Sequence, residues 1–274
     1  MPNISSYLDS LFEAGLSPAS IREVIQSSLT NKISRTFLTD RQLYKCAPIF
    51  ECLNLKYYLS DSKYLFNEDT GKGGFSNAIA EMLPNTSPYG AFMVHLGQDS
   101  ENVFITREAD LKGDHRNVGL LLGIPSCCID AFIQNSCTAD TVQNDHTLNT
   151  CNPNFISINP WSVHCAQYFG YGLVSYFPCS PNCDKTVKIA LNNALLLKQH
   201  APDLYTSFTN YQMFTYLYTE YDGIYAFRSP LKCRDGIIYY DNMNIESSSR
   251  GLLSELLLKG NQLKILALNN FYNE

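Results

Sequence analysis

A chain of 274 residues, 45% hydrophobic and only 17% charged, carries enough apolar side chain to bury a substantial core, which excludes a disordered protein. Its formal net charge of −6 argues against a broad phosphate-binding surface, and so against nucleic acid as a partner. No apolar run reaches the roughly 18 residues needed to cross a bilayer, and the opening MPNISSYLDSLFEAG lacks the basic flank and apolar block of a signal peptide, so no membrane partner and a cytoplasmic location are expected.

Residues 1–66 read as a helical N-terminal arm. Ser6 and Asp9 have capping-box spacing ahead of Leu11 and Phe12, with Gly15 as a stop. Ser17-Pro18 opens a second helix that puts Ile21, Val24, Ile25 and Leu29 on one face. A third amphipathic piece spans about Asp40 to Leu59 and is interrupted at Pro48. Residues 67–90, rich in Gly, Asn, Pro and Ser, read as a long loop around one short helix, and GKGGF at 71–75 lacks the spacing of a phosphate loop.

Two short β-rich runs follow, AFMVHLG at 91–97 and NVFIT at 102–106, with the spacing of a hairpin across Gln98 to Glu101. Asp114, His115 and Arg116 then start a helix that leads into a double-cysteine loop. An Asn/Thr/Pro-rich segment occupies 134–160, and helices are predicted from Ser180 to about His200 and from Asp203 to Tyr221. Strand-like runs at 223–228, 236–241 and 263–268 close the chain, with a helical stretch at 248–260 before the last. Helices in blocks with a few antiparallel strands predict an α+β fold, in which residues 67–274 form the core that carries the cysteine site, as one compact unit with the arm.

Ten cysteines in a reducing compartment point to metal or redox chemistry wherever they cluster. In GLLLGIPSCCIDAF, Ser126 has the chemistry of an N-cap, and Ile129, Phe132 and Ile133 continue at helical spacing, which makes Cys127 and Cys128 the first two helical residues. About fifty residues later, in YFPCSPNCDKTVKIALNNALLLKQ, Ser180-Pro181 is again a cap followed by proline, with Cys179 just before it and Cys183 in the first turn. Two cysteine pairs at two helix N-termini suit thiolates, because the unpaired N–H groups and the helix dipole favour negative charge there. Four thiolates gathered at one point need a cation, so Cys127, Cys128, Cys179 and Cys183 are the candidate metal ligands. Adjacent cysteines suit a multi-iron cluster better than a single tetrahedral ion, which favours a 4Fe-4S iron–sulfur cluster, with zinc as the alternative. Candidate catalytic residues are Cys127 as a free thiol, with His164 from NPWSVHCAQYFGYG or His115 as base. Cys46 and Cys52 flank Pro48 on an amphipathic helix and are expected to be buried, and Cys137, Cys151 and Cys233 lack a partner at ligand spacing.

The pattern built from Gly123, Ile124, Pro125, Cys127, Cys128 and Phe132, followed by Phe177, Pro178, Cys179, Ser180 and Cys183, resembles an uncharacterised prokaryotic protein family with a paired-cysteine signature. The resemblance covers about residues 115–195, implies the same four-cysteine site, and brings no established activity with it. Such relatives commonly carry a histidine before the second motif, where this chain has Tyr176.

The resulting expectation is a metalloenzyme, an iron–sulfur-dependent transferase or lyase acting on a small metabolite or natural-product intermediate, by sulfur transfer or Lewis-acid chemistry. A zinc-stabilised protein-binding module and a metal-free enzyme with a cysteine nucleophile are the two other classes that the residues allow.

Overall fold

The computed structural model describes residues 4–66, 79–140, 146–147, 159–219, 223–229, 231–234, 237–247, 257, 259–260 and 262–264. The fold is α+β, and the chain divides into two compact units, one of residues 1–67 and 77–212, the other of 68–76 and 213–274.

The first unit begins with α1 (Leu8–Glu13) and α2 (Pro18–Leu29). Ser17 caps α2 by accepting from the Ser20 amide at 3.1 Å, and Pro18 fills the first helical position, where its missing N–H costs nothing. After α2 the chain enters β1 (Ser34–Leu38), then α3 (Asp40–Cys52) and β2 (Lys56–Phe66). Two stretches of the expected helical arm are therefore strands. Thr39 and Gln42 form a reciprocal capping box at the start of α3. That helix runs through Pro48 rather than breaking there, because Pro48 and the preceding turn at Tyr44 face solvent, where water can satisfy the carbonyl that proline leaves unpaired.

Strands β3 (Ile79–Pro84) and β4 (Ala91–Gly97) complete an antiparallel sheet in the order β1-β4-β2-β3. The expected hairpin at 91–106 does not form. Asp99 accepts from the amides of Glu101 and Asn102 at 3.0 and 3.1 Å and so caps α4 (Ser100–Leu111), which absorbs the β-rich NVFIT run. Helix α2 packs between the sheet and a later helix, α7 (Asp184–His200), which joins α8 (Pro202–Gln212). The core of this unit is made by Ile21, Val24 and Ile25 of α2, Phe50 of α3, Val94 and Leu96 of β4, and Ala190, Ala194 and Leu197 of α7. α8 ends at Gln212, nine residues before the expected stop.

In the second unit, β5 (Thr215–Thr219), β6 (Gly223–Phe227) and β9 (Ile245–Ser247) form one antiparallel sheet. Strands β7 (Lys232–Arg234), β8 (Ile237–Tyr239) and β10 (Gln262–Lys264) form another. Tyr225, Phe227, Tyr240 and Leu257 make its buried cluster. The expected strands at 223–228 and 236–241 are present. Of the expected loop at 67–90, residues 67–78 with the GKGGF run lie outside the described residues and 79–84 form strand β3 instead. Most of the expected helix at 248–260 also lies outside the described residues. Among the described residues no helix is long and apolar enough to cross a membrane.

Candidate metal centre

Helix α5 (His115–Leu121) is capped by Asp114, which accepts from the Asn117 amide at 3.1 Å. It stops at Gly123, whose φ of 72° lies in the left-handed region that disfavours a side chain, and the Ile124 amide closes back on the Gly119 carbonyl at 2.9 Å. Pro125 follows immediately, and its carbonyl accepts from the amides of Cys128 and Ile129 at 2.8 and 3.0 Å. Pro125 is thus the cap of α6 (Ser126–Asp140), one residue earlier than expected, and Cys127 and Cys128 are its second and third residues. Gly119 lets α5 lie directly on α6, since a Cβ there would sit 2.7 Å from Ile129 Cγ1.

The second cysteine segment is held by buried polar contacts. Arg22, paired with Glu23 at 2.7 Å, donates to the Leu173 carbonyl at 2.9 Å, and Asn193 of α7 donates to the same oxygen at 2.7 Å. Ser175 donates to Glu23, and Ser162 to the Pro181 carbonyl. Residues 180–183 make a turn closed by the Cys183 amide on the Ser180 carbonyl at 3.2 Å. α7 starts after that turn, so its cap is Cys183 itself rather than Ser180, and the Cys183 carbonyl accepts from Val187 at 2.9 Å.

These two frameworks bring all four sulfurs together within 4.8 Å of one another, a group able to hold a metal ion. Cys128 and Cys183 are 3.7 Å apart, Cys127 and Cys183 3.9 Å, and Cys127 and Cys128 4.0 Å. Cys128 and Cys183 are buried, Cys127 and Cys179 half-buried. The Cys179 amide donates to Cys128 Sγ at 3.4 Å, and Thr186 Oγ1 lies 3.4 Å from the same sulfur. Tyr176 donates to Thr186 at 3.2 Å, so its hydroxyl reaches the Cys128 sulfur through that of Thr186.

Electrostatics in the group are those of too many thiols for one small volume. Burial pushes the Cys128 thiol up to about 11, with the charges of Cys183 and Cys127 adding to it against the hydrogen bonds from Thr186 and the Cys179 amide. Burial and the Cys128 charge push Cys179 up further. Burial also raises Cys183, but the hydroxyl and amide of Thr186 and the thiols of Cys179 and Cys128 outweigh it and bring it down to about 7. One thiolate forms readily and the next are opposed, which is what a bound cation reverses.

Residues 100–204 match a family described as a protein of unknown function, DUF483. The matched DUF483 region runs from α4 into α8 and contains all four cysteines. No curated protein and no solved structure matches the chain significantly.

His164 is buried with its ring 4.2 Å from that of Phe177, while His115 is exposed at the start of α5, its ring centroid 5.7 Å from that of Phe132. A third histidine, His146, stacks on Phe132 at 4.3 Å, so His115, Phe132, His146, Phe177 and His164 follow one another ring to ring. His146 and Thr186 were not singled out from sequence. Neither carries a local signal, since Thr186 lies three residues after the cap only once the cap is Cys183 rather than the expected Ser180. A cavity of about 160 Å³ opens beside the group, with Cys128, His115, Arg35, Gln167, Ser175 and Tyr176 in its wall. His115 thus shares a cavity with Cys128, and His164 is not part of that wall.

Proposed function

We propose that Cys127, Cys128, Cys179 and Cys183 hold one tetrahedral metal ion, zinc in the first instance, and that this ion fixes the wall of a small-molecule site. The sulfur spacing carries the reading. Four thiolates about 2.3 Å from one zinc lie at the corners of a tetrahedron with edges of about 3.8 Å. The closest contacts here are 3.7, 3.9 and 4.0 Å. In a 4Fe-4S cluster each thiolate sits on a different iron, which spreads the sulfurs to roughly 6 Å. The adjacent cysteines support the single-ion reading in that their sulfurs lie 4.0 Å apart at the start of α6.

Four thiolates fill the coordination sphere of zinc, the pattern of an ion that builds structure. Its structural task here is to join the start of α6 to the turn before α7, and both Cys128 and Tyr176 then present themselves to the cavity. Enzymatic use of the same centre on a small metabolite, in transferase or lyase chemistry, is supported by one observation: Cys128 belongs to the cysteine group and also lines the cavity beside His115, so a bound molecule would touch a metal-bound thiolate.

Metal analysis of protein purified without oxygen tests the reading. One zinc per chain in a colourless protein is expected; iron with acid-labile sulfide and a broad band near ~400 nm would replace the single ion with a cluster.

A further inference from the structure

We propose that the cavity beside Cys128 binds a small carboxylate with a compact apolar body, the carboxylate held by Arg35. The cavity measures about 160 Å³, and a dry cavity of about 150 Å³ takes a guest the size of benzene. That size excludes nucleotides and peptides. About half of the wall is apolar, with Val118, Ile124, Ile129, Phe132 and Phe177 around the space. The body of the ligand is therefore a ring or a short branched chain.

The polar end is decided by charge. Arg35 and His115 are in the wall, and no acidic residue is. Arg35 is held in place from behind: its Nη1 donates to both oxygens of Asp110, at 2.9 and 3.2 Å, and Asp110 is fixed in turn by His95 at 2.8 Å. Among the described residues its Nε and Nη2 donate to nothing, and its side chain is 39% exposed. A guanidinium fixed along one edge keeps its other edge for a second carboxylate, in the parallel two-bond geometry that carboxylates favour. The wall hydroxyls are already engaged, Ser175 with Glu23 and Tyr176 with Thr186. The remaining polar wall group is Gln167, whose amide oxygen is buried without a partner among the described residues and whose amide can turn its NH2 to a carboxylate. No carboxylate in this wall is there to pair with a cation, the Cys128 thiolate being committed to the proposed ion, and a neutral molecule leaves the free edge of Arg35 unused.

This inference rests on the small-molecule site proposed above but not on the identity of the ion. Benzoate, benzamide and benzylamine are titrated calorimetrically into the 274-residue protein as purified, whose metal content is measured on the same sample. Benzoate is expected to bind with a Kd of about 1 mM or tighter, as its size allows. Benzamide and benzylamine should bind about tenfold more weakly or not at all, since they lose a charge-assisted pair. Arg35→Gln should weaken benzoate about tenfold or more and leave benzamide unchanged. Val118→Phe, which fills the cavity, should abolish benzoate binding. Benzoate binding no tighter than benzamide, or unchanged in Arg35→Gln, overturns the proposal. A chain with one metal ion that ignores benzoate overturns the carboxylate site alone; a metal-free chain that binds benzoate upholds it and overturns the single-ion reading.

Discussion

Stripping the ion should lower the melting temperature of the unit that carries it by a predictable amount. An ion held as proposed would tie Cys128 to Cys183, which are 55 residues apart in sequence. A cross-link that closes a loop of that length restricts the unfolded chain by about 4 kcal/mol. For a unit of this size each kcal/mol moves the midpoint by roughly 2–4 °C, so removal should cost roughly 8–16 °C. Trp161, the sole tryptophan, is the natural probe. It packs against the core of the first unit, and its neighbour Ser162 donates to the Pro181 carbonyl within the cysteine turn. Thermal melts followed by its fluorescence, before and after treatment with a strong chelator, give the shift directly. Re-addition of zinc should restore the midpoint, and Cys183→Ser should melt like the stripped protein. Cys137→Ser, at an exposed position, should melt like the wild type. Complete loss of metal with a midpoint unchanged within about 2 °C would refute the idea that the ion joins the two segments.

Gly119→Ala should destabilise the protein by about 1 kcal/mol: the gain in helix propensity, about 1 kcal/mol, is outweighed by an overpacking cost of about 1–3 kcal/mol where the new Cβ meets Ile129. Urea denaturation measures it, and a more stable variant would contradict the close packing of α5 on α6. Arg22→Ala should cost about 3–5 kcal/mol, because it leaves the Glu23 carboxylate buried without its cation and removes one of the two donors to the Leu173 carbonyl. The same urea titration decides, with a loss under about 1 kcal/mol counting against that anchor. Burial raises the Asp110 carboxyl, but the hydrogen bond to His95 and the charge of Arg35 outweigh it and hold it below its ordinary range. A folded pKa below the unfolded value near ~3.9 means stability that is complete above that pH and is lost as pH falls through the folded value. Asp110→Asn should therefore flatten the acid limb of stability against pH below about 4, and parallel limbs would count against it.

The cysteine site was legible because its signals are local. Gly-Ile-Pro ends one helix and starts the next within three residues, and Cys183 sits at the start of a long periodic helix. What sequence placed inexactly were the caps: Ser126 and Ser180 have the right chemistry, but a proline carbonyl and a cysteine occupy those positions. β1 escaped detection because its partner among the described residues, β4, lies about sixty residues away, with Arg35 opposite His95. NVFIT was misread because β propensity is weak beside an aspartate cap. That the two thiol pairs converge depends on the Arg22, Glu23 and Asn193 contacts to residues 173–175, between groups up to about 150 positions apart. Nothing local announces such contacts, nor does anything in the sequence near Arg35 point to a cavity beside Cys128.

X-ray absorption at the metal edge tests the single-ion centre most directly. A shell of about four sulfurs near 2.3 Å with no metal neighbour is the result that Cys127, Cys128, Cys179 and Cys183 around one ion require. A second shell of metal scatterers, or fewer sulfurs completed by oxygen or nitrogen, would contradict it.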